Sequence, residues 1–201
     1  MKVIFTDLDG TLLDHDTYSW EPARPALTLL GRRGVPLILC TSKTRAEVEV
    51  LRPALGNHDP FITENGGAAF IPQGYFPFPV PGARIRSGYD VVEFGTGYPE
   101  LIDVLRAAST ASGVEVSAFH QLTVEQVAQR CGFSVEEARL AKQREYDEPF
   151  EIADSDRAAA LLQEIESAGM RWTRGGRFYH VTGGNDKAAA VAAVASLYRK
   201  A

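Results

Sequence analysis

Residues 3–13 constrain the fold of this chain more than any other segment. The segment begins with a short apolar run, Val-Ile-Phe, which is typical of a strand buried in a sheet. Asp7 and Asp9 follow, and Gly10 then interrupts the strand. Ligands of an open α/β sheet lie at the carboxyl ends of its strands, and two acidic side chains are costly there unless a cation or a reaction uses them. The segment therefore predicts an α/β fold with a functional site at the end of its first strand.

Asp7 and Asp9 are two residues apart, so both carboxylates can reach one point if the strand ends in a loop. One can then act as a nucleophile while the other transfers protons, and a divalent cation would offset their repulsion. A surface turn is the alternative, because Asp-Gly is common in turns. A calcium loop is excluded, because it needs glycine at its sixth position and glutamate at its twelfth, whereas here Gly10 is fourth and Tyr18 is twelfth.

The composition limits the partners of the chain. It has 201 residues and a formal net charge of −5, which argues against general nucleic-acid binding because that function favours basic surfaces. It shows no signal peptide and no apolar run long enough to span a bilayer, so we expect a cytoplasmic protein without a membrane partner. Cys40 and Cys131 are too few for a disulfide scaffold. Cys40 lies in an apolar strand and is expected to be a reduced core residue.

Hydrophobic periodicity and capping signals divide the chain into two parts. Three apolar strands alternate with two helices up to about residue 63, and this βαβαβ order predicts a parallel, Rossmann-like sheet. Residues 74–88 are rich in proline and glycine and are interpreted as a linker. Strands and helices then follow in a different order, with a hairpin expected around Gly175-Gly176, until an Ala-rich helix begins. Three helices are expected to start at capping boxes, namely Thr44-x-x-Glu47, Thr123-x-x-Gln126 and Ser134-x-x-Glu137. We therefore predict a core domain formed by residues 1–81 and 183–201, and an inserted α+β cap domain formed by residues 82–182.

The sequence Asp-Leu-Asp-Gly-Thr at residues 7–11, placed after an N-terminal apolar strand, resembles the first motif of the haloacid dehalogenase-like phosphatases. The resemblance implies that Asp7 attacks phosphorus and forms an aspartyl-phosphate. It also implies that Asp9 protonates the leaving alcohol and then activates water, and that Asp7 and Asp9 hold Mg²⁺. These roles fit the residues, because a carboxylate is an adequate nucleophile toward a phosphate whose charge is neutralised.

Two further catalytic residues and one loop follow from the same resemblance. Thr41 comes after the second strand and resembles the hydroxyl residue that binds the phosphoryl group; the alternative is a helix cap. Lys187 resembles the lysine that neutralises the nucleophile and the phosphate; the alternative is a solvated lysine, which the helix dipole slightly disfavours at a helix start. Asn65, Gly66 and Gly67 offer backbone N–H groups and close approach, but a simple hairpin turn is an equal alternative.

Four segments, residues 41–47, 64–67, 144–148 and 175–180, narrow the resemblance to the mannosyl-3-phosphoglycerate phosphatases. That family uses magnesium, has a sheet-containing cap, and removes phosphate from a phosphorylated sugar-glycerate to give a compatible solute. A small phosphorylated sugar is therefore the implied substrate. Lysine and arginine side chains in these segments would bind the glycerate carboxylate, and other polar side chains the sugar hydroxyls; each could instead be an ordinary surface charge or cap-strand residue. The implied substrate-binding residues are Ser42, Lys43, Asn65, Gly66, Gly67, Arg144, Arg177 and His180.

In this family a fourth motif, an acidic loop that completes the magnesium site, follows the helix that would begin at Lys187, and the chain ends at Ala201. We therefore expect a core that is truncated before this motif, and weak binding of magnesium with Glu64 as the nearest spare acid. We also expect the first strand to lie at a bare sheet edge, which a homodimer or a C-terminal helix would cover. Two alternative functions stay open: a broad-specificity sugar-phosphate phosphatase and an inactive phosphosugar-binding fragment.

Overall fold

The computed structural model of the protein describes residues 2–175 and 178–201. These residues form two compact units, the second of which interrupts the first in sequence. The first unit contains the residues up to Lys43, Val48–Phe94 and Asp186–Ala201. The second unit contains Thr44–Glu47 and Gly95–Asn185.

The described strands and helices number ten and seven. In chain order they are β1 (Ile4–Thr6), α1 (Arg24–Arg32), β2 (Leu37–Cys40), α2 (Arg45–Leu55), β3 (Phe61–Thr63), β4 (Ala68–Pro72), β5 (Arg84–Arg86), β6 (Tyr89–Glu93), α3 (Tyr98–Ser112), β7 (Val116–Ala118), α4 (Val124–Cys131), α5 (Val135–Ala141), β8 (Asp147–Ile152), α6 (Ala158–Ser167), β9 (Arg171–Gly175), β10 (Phe178–Thr182) and α7 (Lys187–Lys200).

A six-stranded mixed sheet forms the centre of the first unit, with the strand order β1-β2-β3-β4-β6-β5. β1, β2 and β3 run parallel, and the other three strands extend the sheet by antiparallel pairing. The parallel part is the βαβαβ arrangement that the sequence predicts, so the predicted α/β fold class is confirmed. Parallel strands of this kind bring their carboxyl ends to one edge, where the first strand ends at Asp7.

The last helix, α7, closes the hydrophobic core of the first unit. Its buried residues Ala190, Val194 and Leu197 pack in one cluster with Ile38 and Ile62 of the sheet. β2 is buried along its whole length, which explains why its sequence is an unbroken apolar run rather than an alternating one. The core of the first unit is therefore built from residues that Gly95–Asn185 of the second unit separate in sequence.

Three helices begin at the capping boxes predicted from the sequence. Before α2, the Thr44 N–H donates to Glu47 Oε2 at 2.8 Å and the Glu47 N–H donates to Thr44 Oγ1 at 3.2 Å. Thr123 and Ser134 make the same reciprocal pair of bonds before α4 and α5. Each box satisfies two N–H groups that a helix start otherwise leaves without partners.

The proline- and glycine-rich segment at residues 74–88 is not the linker that the sequence predicts. β5 lies within it, β6 follows it, and both pair in the antiparallel part of the first sheet. Its residues Phe76 and Val80 are buried in the core of that unit. Proline and glycine mark turns inside one unit here, so the first unit extends to Phe94 rather than to residue 81.

A four-stranded antiparallel sheet, in the order β7-β8-β10-β9, forms the centre of the second unit. α3 and α6 pack on it, and their shared core contains Leu101, Leu105, Phe150, Leu161, Ile165 and Val181. The predicted hairpin is present as the antiparallel pair of β9 and β10, while residues 176 and 177 lie outside the described residues. The unit extends to Asn185 rather than to residue 182.

β1 lies at one edge of the first sheet, with β2 as its neighbour among the described strands. An edge position is what the sequence led us to expect. Pairing of two chains along this edge stays a prediction. None of the described helices combines the length and the apolar character that crossing a membrane requires.

Candidate active site

Asp7 and Lys187 meet at the carboxyl end of β1. Lys187 Nζ donates to Asp7 Oδ2 at 2.7 Å, although the two residues are 180 positions apart in sequence. The other carboxylate oxygen, Oδ1, accepts the Leu8 N–H at 2.7 Å. The side chains of Asp7 and Lys187 are 43% and 36% exposed, so the pair is accessible from solvent. The structure thus joins two residues that the sequence predicts as catalytic.

The start of α7 holds Lys187 at this position. Asp186 caps the helix, because its carboxylate accepts the N–H groups of Ala188 and Ala189 at 2.7 and 3.1 Å. A lysine at a helix N-terminus is disfavoured by the helix dipole, and the contact with the Asp7 carboxylate offsets that cost. The position of Lys187 therefore supports a role at the site and not on a solvated helix face.

Asp9 is paired with a second lysine. Lys43 Nζ lies 3.1 Å from Asp9 Oδ1 and 5.4 Å from the centre of the Tyr18 ring, which is within cation–π range. Gly10, with a φ of +65°, lets the chain turn directly after Asp9. Sequence reasoning proposed Lys43 as a substrate ligand but missed these two contacts, because residue spacing does not encode the direction of a long, flexible side chain.

The two ion pairs define what the site can do chemically. Each aspartate faces one lysine, so the local charges balance before any substrate is present. An incoming phosphate dianion would find two ammonium groups and, in Asp7, a carboxylate whose repulsion is compensated. Both pairs are partly exposed, and exposed ion pairs exchange partners at small cost. The geometry therefore suits nucleophilic attack by one carboxylate on a bound phosphate, with the second carboxylate available for proton transfer.

Cys40, at the end of β2, is the other nucleophile near this site. It is a buried free thiol, as the sequence predicts. Burial raises the pKa of the Cys40 thiol to about 11; the charge of Lys187 lowers this pKa and the charge of Asp7 raises it, both by smaller amounts. The thiol is therefore protonated at neutral pH, and the thiolate is the reactive form. Asp7, and not Cys40, is the candidate nucleophile.

Thr41 follows β2 and is fully buried. Its Oγ1 accepts the Lys43 N–H at 3.1 Å. The helix-cap alternative does not hold, since Thr44 caps α2. Because the Thr41 oxygen accepts from the backbone, the hydroxyl proton can be donated, as a ligand for a phosphoryl oxygen requires. Contact of Thr41 and of the adjacent Ser42 with a phosphoryl group stays a prediction.

The loop between β3 and β4 corrects one prediction. The N–H groups of Asn65, Gly66 and Gly67 were expected to offer hydrogen bonds to an anion. They donate instead to the carbonyl groups of Thr41 and Thr63, at 2.9–3.0 Å. The hairpin alternative describes this loop, because β3 and β4 pair in antiparallel orientation across it, and the backbone carbonyls of Thr41, after β2, and Thr63, in β3, accept from its N–H groups.

Gly66 has a different role in the same loop. Its φ is +92°, and a Cβ at this position would lie 2.4 Å from the carbonyl carbon of Asp186. Only glycine fits such a contact, so the loop packs directly on the backbone that precedes Lys187. The close approach that the Asn-Gly-Gly sequence predicts is therefore present, and it is made to the backbone at the start of α7.

A second set of predicted residues gathers around Asp147 in the second unit. Asp147 is fully buried, and its carboxylate lies 3.0 Å from His180 Nδ1 and 3.4 Å from Arg144 Nη1. Arg144 Nε also donates to the Ala141 carbonyl at 2.9 Å. One buried carboxylate thus holds two predicted substrate-binding side chains. Arg177, the third basic residue of that prediction, lies outside the described residues.

Glu148, the next residue of β8, is also fully buried and binds a residue that sequence reasoning missed. Its Oε1 accepts the His120 N–H at 3.0 Å and lies 2.9 Å from His120 Nδ1. Lys142 Nζ donates to the carbonyls of Phe119 and Leu122, which lie before and after His120 in the chain. Burial lowers the pKa of Lys142, and the charge of Glu148 opposes that shift. An isolated histidine in a loop gives no sequence signal for such a pair.

The described residues contain no cluster of three or more His, Cys, Asp or Glu side chains suited to a metal ion. Glu64, the expected spare acid, is fully buried and joins no such cluster within the described part of the chain. Asp7 and Asp9 are therefore the candidate oxygen donors. One or two carboxylates are the usual protein contribution to Mg²⁺, which keeps several waters and takes substrate phosphate oxygens. The donor set fits magnesium that is bound together with a phosphate.

Comparison with known proteins gives the class first. Residues 4–75 match a family described as haloacid dehalogenase-like hydrolase. Two solved structures share the fold. A Thermoplasma acidophilum protein aligns with a TM-score of 0.66 and 21% identity over 99% of this chain and 72% of that one. A sugar phosphatase of haloacid dehalogenase subclass IIB aligns with a TM-score of 0.64 and 19% identity, and the alignment covers 98% of this chain and 76% of that one.

Two relatives narrow the class. The glucosyl-3-phosphoglycerate/mannosyl-3-phosphoglycerate phosphatase of Methanococcoides burtonii is 47% identical over 199 residues, which cover 98% of this chain and 73% of the relative. The mannosyl-3-phosphoglycerate phosphatase of Pyrococcus furiosus is 36% identical over 200 residues, which cover 100% of this chain and 79% of the relative. The chain therefore belongs to the haloacid dehalogenase-like hydrolases, in the same phosphatase family as these relatives, and it is a phosphoric monoester hydrolase.

Proposed function

We propose that the protein hydrolyses the phosphate monoester of a glycosyl-3-phosphoglycerate, of which mannosyl-3-phosphoglycerate is the first candidate. The products are inorganic phosphate and the glycosylglycerate. The observation that carries this proposal is the pairing of Asp7 with Lys187 and of Asp9 with Lys43 at the end of β1. The names of relatives with 47% and 36% identity support the choice of substrate.

The reaction divides into two displacements at phosphorus. In the first, Asp9 takes up a proton from solvent as Lys43 turns to the phosphate. An oxygen of Asp7 then attacks phosphorus, the bond from phosphorus to the glycerate oxygen breaks, and Asp9 donates its proton to that leaving oxygen. In the second, Asp9 takes a proton from water, the water oxygen attacks phosphorus, the bond from phosphorus to Asp7 breaks, and phosphate leaves. Lys187 and Lys43 supply the positive charge that stabilises the phosphoryl oxygens in both steps.

Asp7 and Asp9 would hold the Mg²⁺ that this proposal includes, as hard oxygen donors beside the phosphate position. When bound, the cation would neutralise part of the phosphoryl charge. Asp9 would supply its backbone carbonyl, so that its carboxylate stays available for proton transfer. In the substrate-free protein the Asp7 carboxylate is already paired with Lys187, so the ion competes with an ammonium group for that donor. We therefore expect weak magnesium binding that tightens when a phosphate analogue is present, which calorimetric titration would measure.

The residues around Asp147 support a role for the second unit in recognising the organic part of the substrate. Arg144 presents a planar guanidinium, which suits the glycerate carboxylate through a bidentate contact. His180 can exchange hydrogen bonds with a sugar hydroxyl. Because Asp147 is fully buried and contacts both side chains, their orientations are set before substrate binds, which lowers the entropic cost of recognition.

Phosphate release from a panel of esters tests this proposal, with magnesium present and then removed by a chelator. Mannosyl-3-phosphoglycerate and glucosyl-3-phosphoglycerate should have a kcat/KM at least about a hundredfold above that of mannose 6-phosphate, a difference of about 2.7 kcal/mol. Chelation should abolish release, and added Mg²⁺ should restore it. Similar values for all esters would indicate a broad-specificity sugar phosphatase instead. Binding of these esters without any release would indicate a phosphosugar-binding protein.

A further inference from the structure

The loop from Asp14 to Ser19 holds an aromatic side chain beside the two ion pairs. The Asp14 N–H donates to the Ser19 carbonyl at 2.9 Å, and the Tyr18 N–H donates to the Asp14 carbonyl at 3.0 Å. The Asp14 carboxylate accepts the N–H and the hydroxyl of Thr17 at 2.9 and 2.7 Å. These bonds close the loop on itself, so the backbone of Tyr18 is fixed by its own neighbours.

Tyr18 is poorly explained by packing alone. Its residue surface is 52% exposed, so most of the gain from burying an aromatic ring is absent. Its φ is +54°, a conformation that residues other than glycine adopt rarely and that is concentrated at functional sites. The ring nevertheless lies 5.4 Å from Lys43 Nζ. An exposed ring in a strained conformation at the edge of the site indicates a ligand contact.

The chemistry of the proposed substrate places its sugar near this ring. The phosphate is on one terminal carbon of glycerate, and the sugar is attached through oxygen to the adjacent carbon. Asp9 must reach the leaving oxygen on the terminal carbon, so two carbons separate the oxygen that Asp9 protonates from the oxygen that carries the sugar. Lys43 touches Asp9 at 3.1 Å and its ammonium group faces Tyr18. The Lys43–Tyr18 contact is therefore within reach of the sugar.

Resting on the function proposed above, we propose that Tyr18 is the platform on which the hexose of the substrate stacks. One face of a pyranose ring carries several C–H groups with partial positive charge, and the face of an aromatic ring is negative. A tyrosine ring also loses little conformational entropy on binding, because it has two rotatable bonds. Tyr18 is thus a specificity-determining residue, which recognises the sugar and leaves the phosphate chemistry to the aspartates and lysines.

A simpler role for Tyr18 would be to hold Lys43 against Asp9. The two roles differ in which substrates they affect. If Tyr18 only holds Lys43 against Asp9, its removal affects the proton donor, and hydrolysis of every phosphate ester would slow by a similar factor. A sugar platform contributes only when a sugar is present. Comparing mannosyl-3-phosphoglycerate with 3-phosphoglycerate, which lacks the sugar but keeps the carboxylate and the phosphate, separates the two roles.

The test measures kcat and KM of the full chain and of the variants Tyr18→Phe, Tyr18→Leu and Tyr18→Ala with both substrates. Tyr18→Ala should raise the KM for mannosyl-3-phosphoglycerate by about tenfold or more, and the KM for 3-phosphoglycerate by no more than about threefold. Tyr18→Leu keeps an apolar side chain without a π face and should resemble Tyr18→Ala. Tyr18→Phe keeps the ring and should restore the wild-type preference. Ile85→Ala changes a residue of β5 that is 73% exposed and serves as the control for surface truncation.

Three results would overturn the platform. Equal losses on both substrates would show that Tyr18 only holds Lys43 against Asp9. Unchanged KM values in Tyr18→Ala would show that the ring contacts neither the substrate nor the catalytic groups. A Tyr18→Leu variant with the full wild-type preference would show that bulk, and not the aromatic face, is recognised. A wild-type protein that does not favour the glycosylated ester would instead overturn the proposed function, and the platform with it.

Discussion

The two units of the molecule use acidic side chains in opposite ways. In the first unit Asp7 and Asp9 are partly exposed, and each meets one flexible lysine. In the second unit Asp147 and Glu148 are fully buried and hold arginine and histidine side chains. A partly exposed ion pair can open at small cost, which frees its lysine to bind a substrate. A buried carboxylate that loses its partner is left with an uncompensated charge. Exposure therefore separates groups suited to reaction from groups suited to fixing the position of others.

The largest expected effect comes from removing the charge of Asp7, one of the two partly exposed carboxylates of the first unit. Asp7→Asn keeps the shape of the side chain but removes the oxygen anion that we propose as the nucleophile, so kcat should fall by at least about a thousandfold. The fold should be retained, because the Asp7 carboxylate is half-exposed. Phosphate release and the thermal midpoint should be measured on the same preparation. A variant that keeps a large share of the activity would exclude Asp7 as the nucleophile.

Removing the buried carboxylate of Asp147 in the second unit should lower the free energy of unfolding. Asp147→Ala leaves Arg144 and His180 without their buried carboxylate, and the expected loss is about 3–5 kcal/mol in the free energy of unfolding. Asp9→Asn is the control, because it removes a partly exposed ion pair, for which a loss below about 1 kcal/mol is expected. Urea unfolding of both variants gives the comparison. Equal losses would contradict the distinction drawn between the two units.

A glycine tests whether backbone contact, as well as charge, builds the exposed site. Gly66→Ala combines a positive φ with a Cβ that would meet the Asp186 backbone at 2.4 Å, and it should cost about 2–4 kcal/mol. Gly82→Ala is the matched control, because φ is also positive there but a Cβ would meet nothing within 4 Å. Its expected cost is the conformational strain of about 1 kcal/mol. Similar losses of stability in both variants would show that the Asp186 backbone can move to accommodate a Cβ with little loss in the free energy of unfolding.

The smallest expected effect is a pH dependence from Cys40. Burial raises the pKa of this thiol from 9.0 to about 11, so between these values the unfolded chain releases a proton that the folded chain keeps. Stability contributed by the protonated thiol is therefore complete below pH 9 and is lost as the pH rises toward 11. Cys40→Ala should show a shallower decline of the unfolding midpoint across this window than the wild type. Identical slopes would contradict the raised pKa.

The reactive end of β1 could be predicted from sequence because its signals are local. The order of residues 7–11 and the lysine at the start of α7 are short patterns, and their physical reasons act within a few residues. The capping boxes of α2, α4 and α5 were correct for the same reason. The parallel strands followed from apolar runs whose continuity reflects burial on both faces.

The parts that could not be predicted depend on contacts between distant residues. Proline and glycine in residues 74–88 mark turns equally well inside a unit and between units, so the pattern could not show that β5 and β6 belong to the first sheet. The sequence leaves an anion contact and a hairpin turn as equal alternatives for the Asn-Gly-Gly loop, because it does not show that nearby carbonyls accept the N–H groups of the loop. The Lys43–Asp9 pair depends on rotamers, which residue spacing does not specify.

The contact of Gly66 with the backbone of Asp186 has a consequence for the order of folding. It joins two points between which Gly95–Asn185, the larger part of the second unit, is inserted, and the entropic cost of closing a loop rises with its length. α7 supplies core residues as well as Lys187. During synthesis the first strands therefore emerge long before the helix that completes their core, and Asp7 emerges long before its partner lysine. Contacts of such long range slow folding, so we expect the second unit to fold first and the catalytic centre to assemble last.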